Sequence, residues 1–121
     1  MKVADPTTVT PRRVASHAFD IAAEADLRLE CLVVFGSVPR NENDTDSDVD
    51  IVLVSPDFGP DYYARSHPFQ WQWDRETFGT PDIIPLTPDE FDQRSDDSGD
   101  IVHEAVETGQ QYTRADIASP V

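Results

Sequence analysis

Lysine is nearly absent from this chain, and acidic residues are in large excess. Lys2 is the only lysine, and nine basic residues stand against 24 acidic ones, which gives a net charge of −15 over 121 residues. Contacts to nucleic acid phosphates need a surplus of basic side chains, so this composition predicts no direct binding to nucleic acid. Such an acidic surface suits a halophilic, high-salt cytosol, where ions screen the repulsion between carboxylates.

Cysteine and long apolar runs are also scarce. Cys31 stands alone, so no intrachain disulfide can form, and its place before an apolar run predicts a small core residue. No apolar run approaches the length of a membrane span, and no apolar leader follows Met1. These absences predict a soluble, cytoplasmic protein without a membrane partner.

The length of the chain predicts one domain over residues 1–121, with a single modest core. Residues 1–10 show no periodicity and are expected to form a disordered arm or a short edge strand, and residues 114–121 are expected to form a tail. Thr10 is a candidate N-cap ahead of a proline, and apolar residues at every third or fourth position predict an amphipathic helix over 12–30.

Two β-branched apolar runs, residues 32–35 and 51–54, predict buried strands. The second run follows Asp48 and Asp50. Because side chains alternate along a strand, these two carboxylates share one face, with their Cα atoms about 6 to 7 Å apart. Like charges held so close at the end of a buried strand need compensating cations.

A third strand is predicted over residues 82–86, where Pro85 favours a place at the edge of the sheet. Asp82 begins this run, just as two aspartates precede the strand before it. The alternative is that Asp82 is an ordinary turn residue after a proline.

The remaining helices are predicted from local signals. Residues 61–67 favour a short helix that Pro68 ends. Residues 69–78 favour a second helix, although their aromatic residues also alternate as in a strand, and both structures stay open. A capping box predicts a helix over 87–94, and a final helix is predicted over 99–108. The residues expected on one face of that last helix are Ile101, Val102, Ala105 and Val106.

The histidines and tryptophans are expected to have structural roles. His17 has no second histidine or cysteine at ligand spacing, so a partly exposed helix position is predicted for it. A surface position is predicted for His103. Trp71 and Trp73 are expected in the core or at an interface, with stacking on a nucleotide base as the alternative.

A combination of small and acidic residues resembles the signature of the nucleotidyltransferase superfamily. Its members here are Gly36, Ser37, Asp48, Asp50 and Asp82. In so short a chain the pattern is most similar to the minimal nucleotidyltransferases (MNT), many of which are antitoxins of HEPN/MNT toxin-antitoxin pairs. The resemblance implies a small α/β (α+β) fold, in which flanking helices cover a short mixed β-sheet.

The resemblance also implies metal-dependent catalysis. The catalytic and metal-binding residues would be Asp48, Asp50 and Asp82, which would hold two Mg²⁺ ions across the α-phosphorus of the nucleotide. Asp82 would complete the coordination of the ion that activates the acceptor hydroxyl and would help to take its proton.

Nucleotide binding is implied for Gly36, Ser37 and Arg40. In the resembled family the glycine–serine turn presents backbone N–H groups to the phosphates, and Arg40 would add charge-assisted hydrogen bonds. Many family members carry arginine directly after the serine, where this chain has Val38.

The implied function is an antitoxin that transfers AMP from ATP to a hydroxyl, expected to be a tyrosine, on a HEPN toxin within a hetero-oligomer. One alternative is a non-catalytic binding module that neutralises its partner by contact alone, which is consistent with Val38. Another is nucleotidyl transfer to a small molecule.

Overall fold

A four-stranded mixed sheet organises the part of the chain that the structure describes. The computed structural model describes residues 10–36 and 49–118. The strands are β1 (Cys31–Phe35), β2 (Val49–Val54), β3 (Pro81–Leu86) and β4 (Gln110–Thr113). Their order is β3-β2-β1-β4, with β1 antiparallel to both β2 and β4 and with β2 parallel to β3. The predicted mixed sheet is confirmed, and β3 lies at an edge as its proline indicated.

Short helices connect and cover these strands. They are α1 (Pro11–Glu24), a 3₁₀ helix (Tyr63–Ser66), α2 (His67–Gln72), α3 (Arg75–Phe78), α4 (Pro88–Ser95), α5 (Ile101–Thr108) and α6 (Arg114–Ala118). None of the helices in these described ranges combines the length and the apolar character needed to cross a membrane.

The first helix begins as predicted but ends earlier. The Thr10 hydroxyl accepts a hydrogen bond from a first-turn N–H at 3.2 Å. The prediction over 12–30 is wrong at its C-terminal end, because α1 stops at Glu24. Asp26 follows with φ of 60°, a left-handed conformation through which an α-helix does not continue. Leu29 is nevertheless buried, so the apolar pattern runs on past the end of the helix.

The middle of the chain departs further from prediction. Pro68 does not end a helix over 61–67 but lies in the first turn of α2, where a missing N–H costs nothing. The helix predicted over 69–78 is interrupted at Trp73, whose ψ of 132° is extended, and it resumes as α3 after the N-cap Asp74. A strand in this segment, the alternative, is wrong.

The capping box before α4 is confirmed. The hydroxyl of Thr87 accepts from the Glu90 N–H at 3.3 Å, and the Glu90 carboxylate accepts from the Thr87 N–H at 2.9 Å. These reciprocal bonds satisfy two N–H groups that the start of a helix leaves without partners.

The last predicted helix, over 99–108, begins at Ile101. Val102 and Ala105 are buried, whereas Ile101 and Val106, predicted on the same face, are 50% and 39% exposed. α5 contacts the sheet along a narrow stripe, and the flanks of that stripe stay open to solvent.

Residues 110–118 form β4 and α6, which no local sequence pattern predicts. Asp116 stabilises their junction, because its carboxylate accepts from the Thr113 N–H at 2.7 Å and from the Thr113 hydroxyl at 3.1 Å. Ile117 packs against the core. Much of the expected tail over 114–121 is therefore a short helix that contacts the rest of the fold.

The sheet has two differently covered faces. We call the side covered by α1, α2 and α3 the α1 face, and the side covered by α4 and α5 the α5 face. On the α1 face the buried strand residues are Leu32, Val34, Val49, Ile51 and Leu53. On the α5 face they are Val33, Phe35, Val52, Val54 and Leu86. The alternation of side chains along each strand produces this division.

Candidate active site

Two of the predicted catalytic carboxylates lie side by side at the edge of the α5 face. Asp50 of β2 is the register partner of Asp82 in the parallel strand β3, and it also pairs with Phe35 of the antiparallel strand β1. Register partners on neighbouring strands, about 4.8 Å apart, direct their side chains to the same face. Asp50 and Asp82 therefore extend from one side of the sheet near the N-terminal ends of their strands.

Gly36 brings the backbone after β1 against the carboxylate of Asp50. Its φ of 85° lies in the left-handed region that favours glycine. A Cβ atom at this position would overlap Asp50 Oδ2 and would lie 3.2 Å from Asp50 Cγ. The absence of a side chain is thus needed twice, for the turn and for the close approach to the carboxylate.

A pocket of about 230 Å³ opens between this end of the sheet and α5. Its lining residues are Phe35, Gly36, Asp50, Ile101, Glu104 and Thr108. The three from α5 are spaced three and four residues apart, so they form one exposed stripe of the helix. The lining of the pocket therefore includes one carboxylate from the sheet, one carboxylate from α5 and a partly apolar wall.

α5 is held in place at both ends. At its start, Asp100 caps the helix by accepting from the Val102 N–H at 2.8 Å and forms an ion pair with Arg94 at 2.9 Å. The hydrogen bonds from Arg94 and then from Val102 lower the pKa of Asp100. At its end, a Cβ on Gly109 would lie 2.6 Å from the carbonyl of Ala105 and 2.7 Å from that of Val34. The helix is therefore packed closely against β1, beside the pocket.

A buried arginine fixes the strand that carries Asp82. Arg65 is 8% exposed, and its guanidinium donates to the carbonyls of Gly59 at 2.7 Å and Pro85 at 3.1 Å. It also forms a two-pronged ion pair with Glu90, at 2.7 and 3.3 Å. The hydrogen bonds from Arg65 lower the pKa of Glu90. The hydrogen bond from the Thr87 N–H at the helix cap lowers it further, by a smaller amount. The edge strand β3 is thereby tied to the start of α4.

The donor set fits a divalent cation, although it is only partly described. Asp50 and Asp82 provide hard carboxylate oxygens, which are the ligands that Mg²⁺ prefers. Within residues 10–36 and 49–118, no three His, Cys, Asp or Glu side chains form a group that could hold a metal ion. The third predicted ligand, Asp48, lies outside the described residues, as do Ser37 and Arg40.

Glu104 is the lining residue that the sequence did not reveal. It stands beside His103 in an ordinary amphipathic helix, and no motif marks it. The one available signal is its spacing from Ile101 and Thr108, which becomes informative only once α5 is placed against the sheet.

His17 and His103 have structural roles. His17 Nε2 accepts from the Asp74 N–H at 3.0 Å, and its ring packs against Trp73 and Phe78 with centroids 4.6 and 4.9 Å away. Burial, partly opposed by Asp74, lowers its pKa. His103 Nδ1 lies 2.7 Å from the carbonyl of Ser95. Neither histidine lines the pocket.

Cys31 is half-buried and packs beside the apolar cluster of the α5 face. Burial raises the pKa of its thiol, which disfavours the nucleophilic thiolate. Trp73 is buried in the core of the α1 face, whereas Trp71 is 79% exposed.

A family model described as a nucleotidyltransferase domain matches residues 21–108, well over half of the chain. The chain belongs to the nucleotidyltransferase domain family. The matched span of this nucleotidyltransferase domain contains β1, β2, β3 and α5, and therefore every described residue of the pocket. No curated protein and no solved structure matches the chain. The superfamily predicted from the glycine–serine and aspartate pattern is confirmed, and so is the α/β fold.

Proposed function

We propose that this nucleotidyltransferase domain is an antitoxin that adenylylates (AMPylates) a HEPN toxin, transferring AMP from ATP to a tyrosine hydroxyl. Family membership supports nucleotidyl transfer in general. The observation that supports catalysis at this site is the parallel register of Asp50 with Asp82, next to a glycine turn that packs on Asp50. The donor, the acceptor and the partner come from the resemblance to minimal nucleotidyltransferases.

The described residues have distinct tasks in this proposal. Asp50 and Asp82, with Asp48, would hold two Mg²⁺ ions, which when bound would neutralise the charge that develops on the attacking and leaving oxygens. Gly36 has no side chain, so that the backbone of its turn can approach a phosphate group closely. Ser37 and Arg40 would add donors to the triphosphate.

The pocket favours a side-chain or small-molecule acceptor over a polymer. Its volume of about 230 Å³ is bounded on one side by α5 and on the other by the strand ends. Glu104 is exposed on the wall opposite Asp50, where its carboxylate can accept a hydrogen bond from a hydroxyl group of the acceptor or of the ribose.

Labelled nucleotide distinguishes the proposal from its alternatives. The chain is incubated with Mg²⁺, ATP labelled at the α-phosphate and a HEPN protein. Label on a tyrosine of the HEPN protein supports the proposal. A tight complex that stays unlabelled would instead show a non-catalytic binding module, and label appearing only on added small hydroxyl compounds would show a small-molecule transferase.

The role of Glu104 is tested on the same reaction. Glu104→Gln removes the charge from the pocket wall but keeps an oxygen that can accept a hydrogen bond, so we expect about a three- to tenfold loss of transfer. Glu107→Gln is the matched control, because Glu107 is exposed on the same helix but does not line the pocket. Equal effects from both variants would remove Glu104 from the site.

A further inference from the structure

Aromatic side chains are exposed on a helical segment that the proposed transfer does not use. The 3₁₀ helix runs directly into α2, and this segment presents Tyr62, Tyr63, His67 and Trp71, which we call the aromatic surface. Tyr63 is 80% exposed. Large aromatic side chains with this degree of solvent exposure are unusual in a monomeric protein, and clusters of them mark contact sites.

The exposed rings occur in two pairs. Tyr62 and Tyr63 meet edge to face with centroids 5.6 Å apart, and His67 stacks on Trp71 with centroids 5.2 Å apart and planes 18° apart. These pairs hold the rings in place before any partner arrives. Less side-chain entropy is therefore lost on binding than for isolated, freely rotating side chains.

The aromatic surface is not a core face left uncovered. The same segment already buries Phe69 completely and Arg65 almost completely, and Trp73 directly after it is also buried. The helical segment thus has its own inward face. Tyr63 and Trp71 remain 80% and 79% exposed, so both rings are available for an external contact.

The charge around the rings indicates the chemistry of the partner. Exposed acidic residues lie at both ends of the segment, Asp61 before it and Asp74 and Glu76 after it. The nearby cation Arg75 already donates to Gln70, at 2.9 and 3.2 Å. An electron-rich ring face with acidic residues at its rim attracts a guanidinium or ammonium group.

The fold itself contains examples of this contact. The guanidinium of Arg65 lies 5.6 Å from the centroid of Tyr62, and that of Arg13 lies 5.6 Å from the centroid of Phe78. The ring of Tyr62 therefore already makes a cation–π contact with a guanidinium of the same chain. Tyr63 and Trp71 present comparable rings outward.

We propose that the aromatic surface docks a protein partner through arginine side chains that lie over Tyr63 and Trp71. A second copy of the chain is the poorer occupant, because it would bring a net charge of −15 against an equally acidic surface. A single-stranded nucleic acid is disfavoured by the same charge. The proposed docking does not depend on nucleotidyl transfer, so either can fail without the other.

Short helical peptides test this surface. One peptide carries arginine at every fourth position, and two others carry lysine or glutamate at the same positions. At about 0.15 M salt, where long-range attraction is screened, we expect the arginine peptide to bind most tightly. The double variant Tyr63→Ala with Trp71→Ala should weaken its binding about 5- to 30-fold, and Gln72→Ala, an exposed neighbour, should not.

Several outcomes would overturn the proposal. The double variant binding as tightly as the unchanged protein would show attraction by net charge alone. Ring-dependent binding of an oligothymidylate, or ring-dependent self-association in sedimentation, would assign the surface to nucleic acid or to a second copy. A separate readout uses the unchanged protein: the arginine peptide should protect Trp71 from acrylamide quenching, and an unaltered quenching curve would contradict the proposal.

Discussion

The two faces of the sheet are built from the same strands, but the described helices cover them to different extents. On the α1 face, β2 contributes Val49, Ile51 and Leu53, which are all buried under α1, α2 and α3. On the α5 face the same strand contributes Val52 and Val54, which are buried, and Asp50, which is only half-buried. α4 and α5 cover that face incompletely and leave a pocket at its end. The candidate site thus lies where the cover from the described helices stops.

The largest effect should come from the sheet carboxylate that lines this pocket. Asp50→Asn keeps the size of the side chain but removes its charge, so we expect nucleotidyl transfer to fall by about 10²- to 10⁴-fold while the fold is kept. The measurement is the rate of label transfer from ATP, together with urea unfolding. Asp89→Asn, an exposed aspartate of α4, is the control. An Asp50→Asn protein with full activity would refute its catalytic role.

The adjacent residue on the covered face should show the opposite behaviour. Ile51 is completely buried on the α1 face, so Ile51→Ala should lower the free energy of unfolding by about 2 to 5 kcal/mol. Ile51→Val removes one methyl group and should cost about 0.5 to 1.5 kcal/mol. Both values come from urea unfolding. If Ile51→Ala were as stable as the unchanged protein, the difference between the two faces would not hold.

The contact between α5 and β1 decides whether the pocket keeps its shape. A Cβ on Gly109 would meet two carbonyl oxygens within 2.7 Å, so Gly109→Ala should cost about 1 to 3 kcal/mol of stability and displace α5. Transfer should also fall, because α5 carries one wall of the pocket. The control is Gly59→Ala, where a Cβ would find no atom within 4 Å. Equal stabilities of the two variants would contradict this close packing.

Local signals predicted the elements that depend on local chemistry. The N-caps Thr10 and Thr87 and the β-branched runs of β1 and β2 were recognisable because each structure is favoured by neighbouring residues alone. β4 was missed because Gln110–Thr113 is polar and mostly exposed. Its strand conformation comes from pairing with β1, which no local pattern indicates.

The candidate site was predictable in its residue types more than in its geometry. The family resemblance brought Gly36, Asp50 and Asp82 together, and the structure places Gly36 against Asp50 and Asp82 in register beside it. Glu104 could not be predicted, because its place opposite Asp50 follows from the packing of a helix about 50 residues away in sequence. The roles of the site residues stay predictions until transfer is measured.

The smallest effect concerns the edge of the α5 face, where Arg65 holds Glu90. Glu90→Gln keeps a side-chain oxygen that can cap α4 but removes the charge that Arg65 binds. Because the Glu90 side chain is 42% exposed and the glutamine oxygen can still accept from the buried Arg65, we expect a loss of only about 1 kcal/mol or less at neutral pH. Urea unfolding across the acidic range measures it.

The sign of the pH dependence follows from the direction of the pKa shift. The pKa of Glu90 is lowered from its ordinary value of 4.5 in the folded protein, so its stabilisation is present above that value and is lost as the pH falls through the folded pKa. The stability gap between the unchanged protein and Glu90→Gln should therefore be largest near neutral pH and should close below about pH 4.5. A gap that stayed constant over this range would mean that Glu90 stabilises β3 and α4 through its hydrogen bonds, independently of its charge. The attachment of the edge strand carrying Asp82 would then not depend on pH.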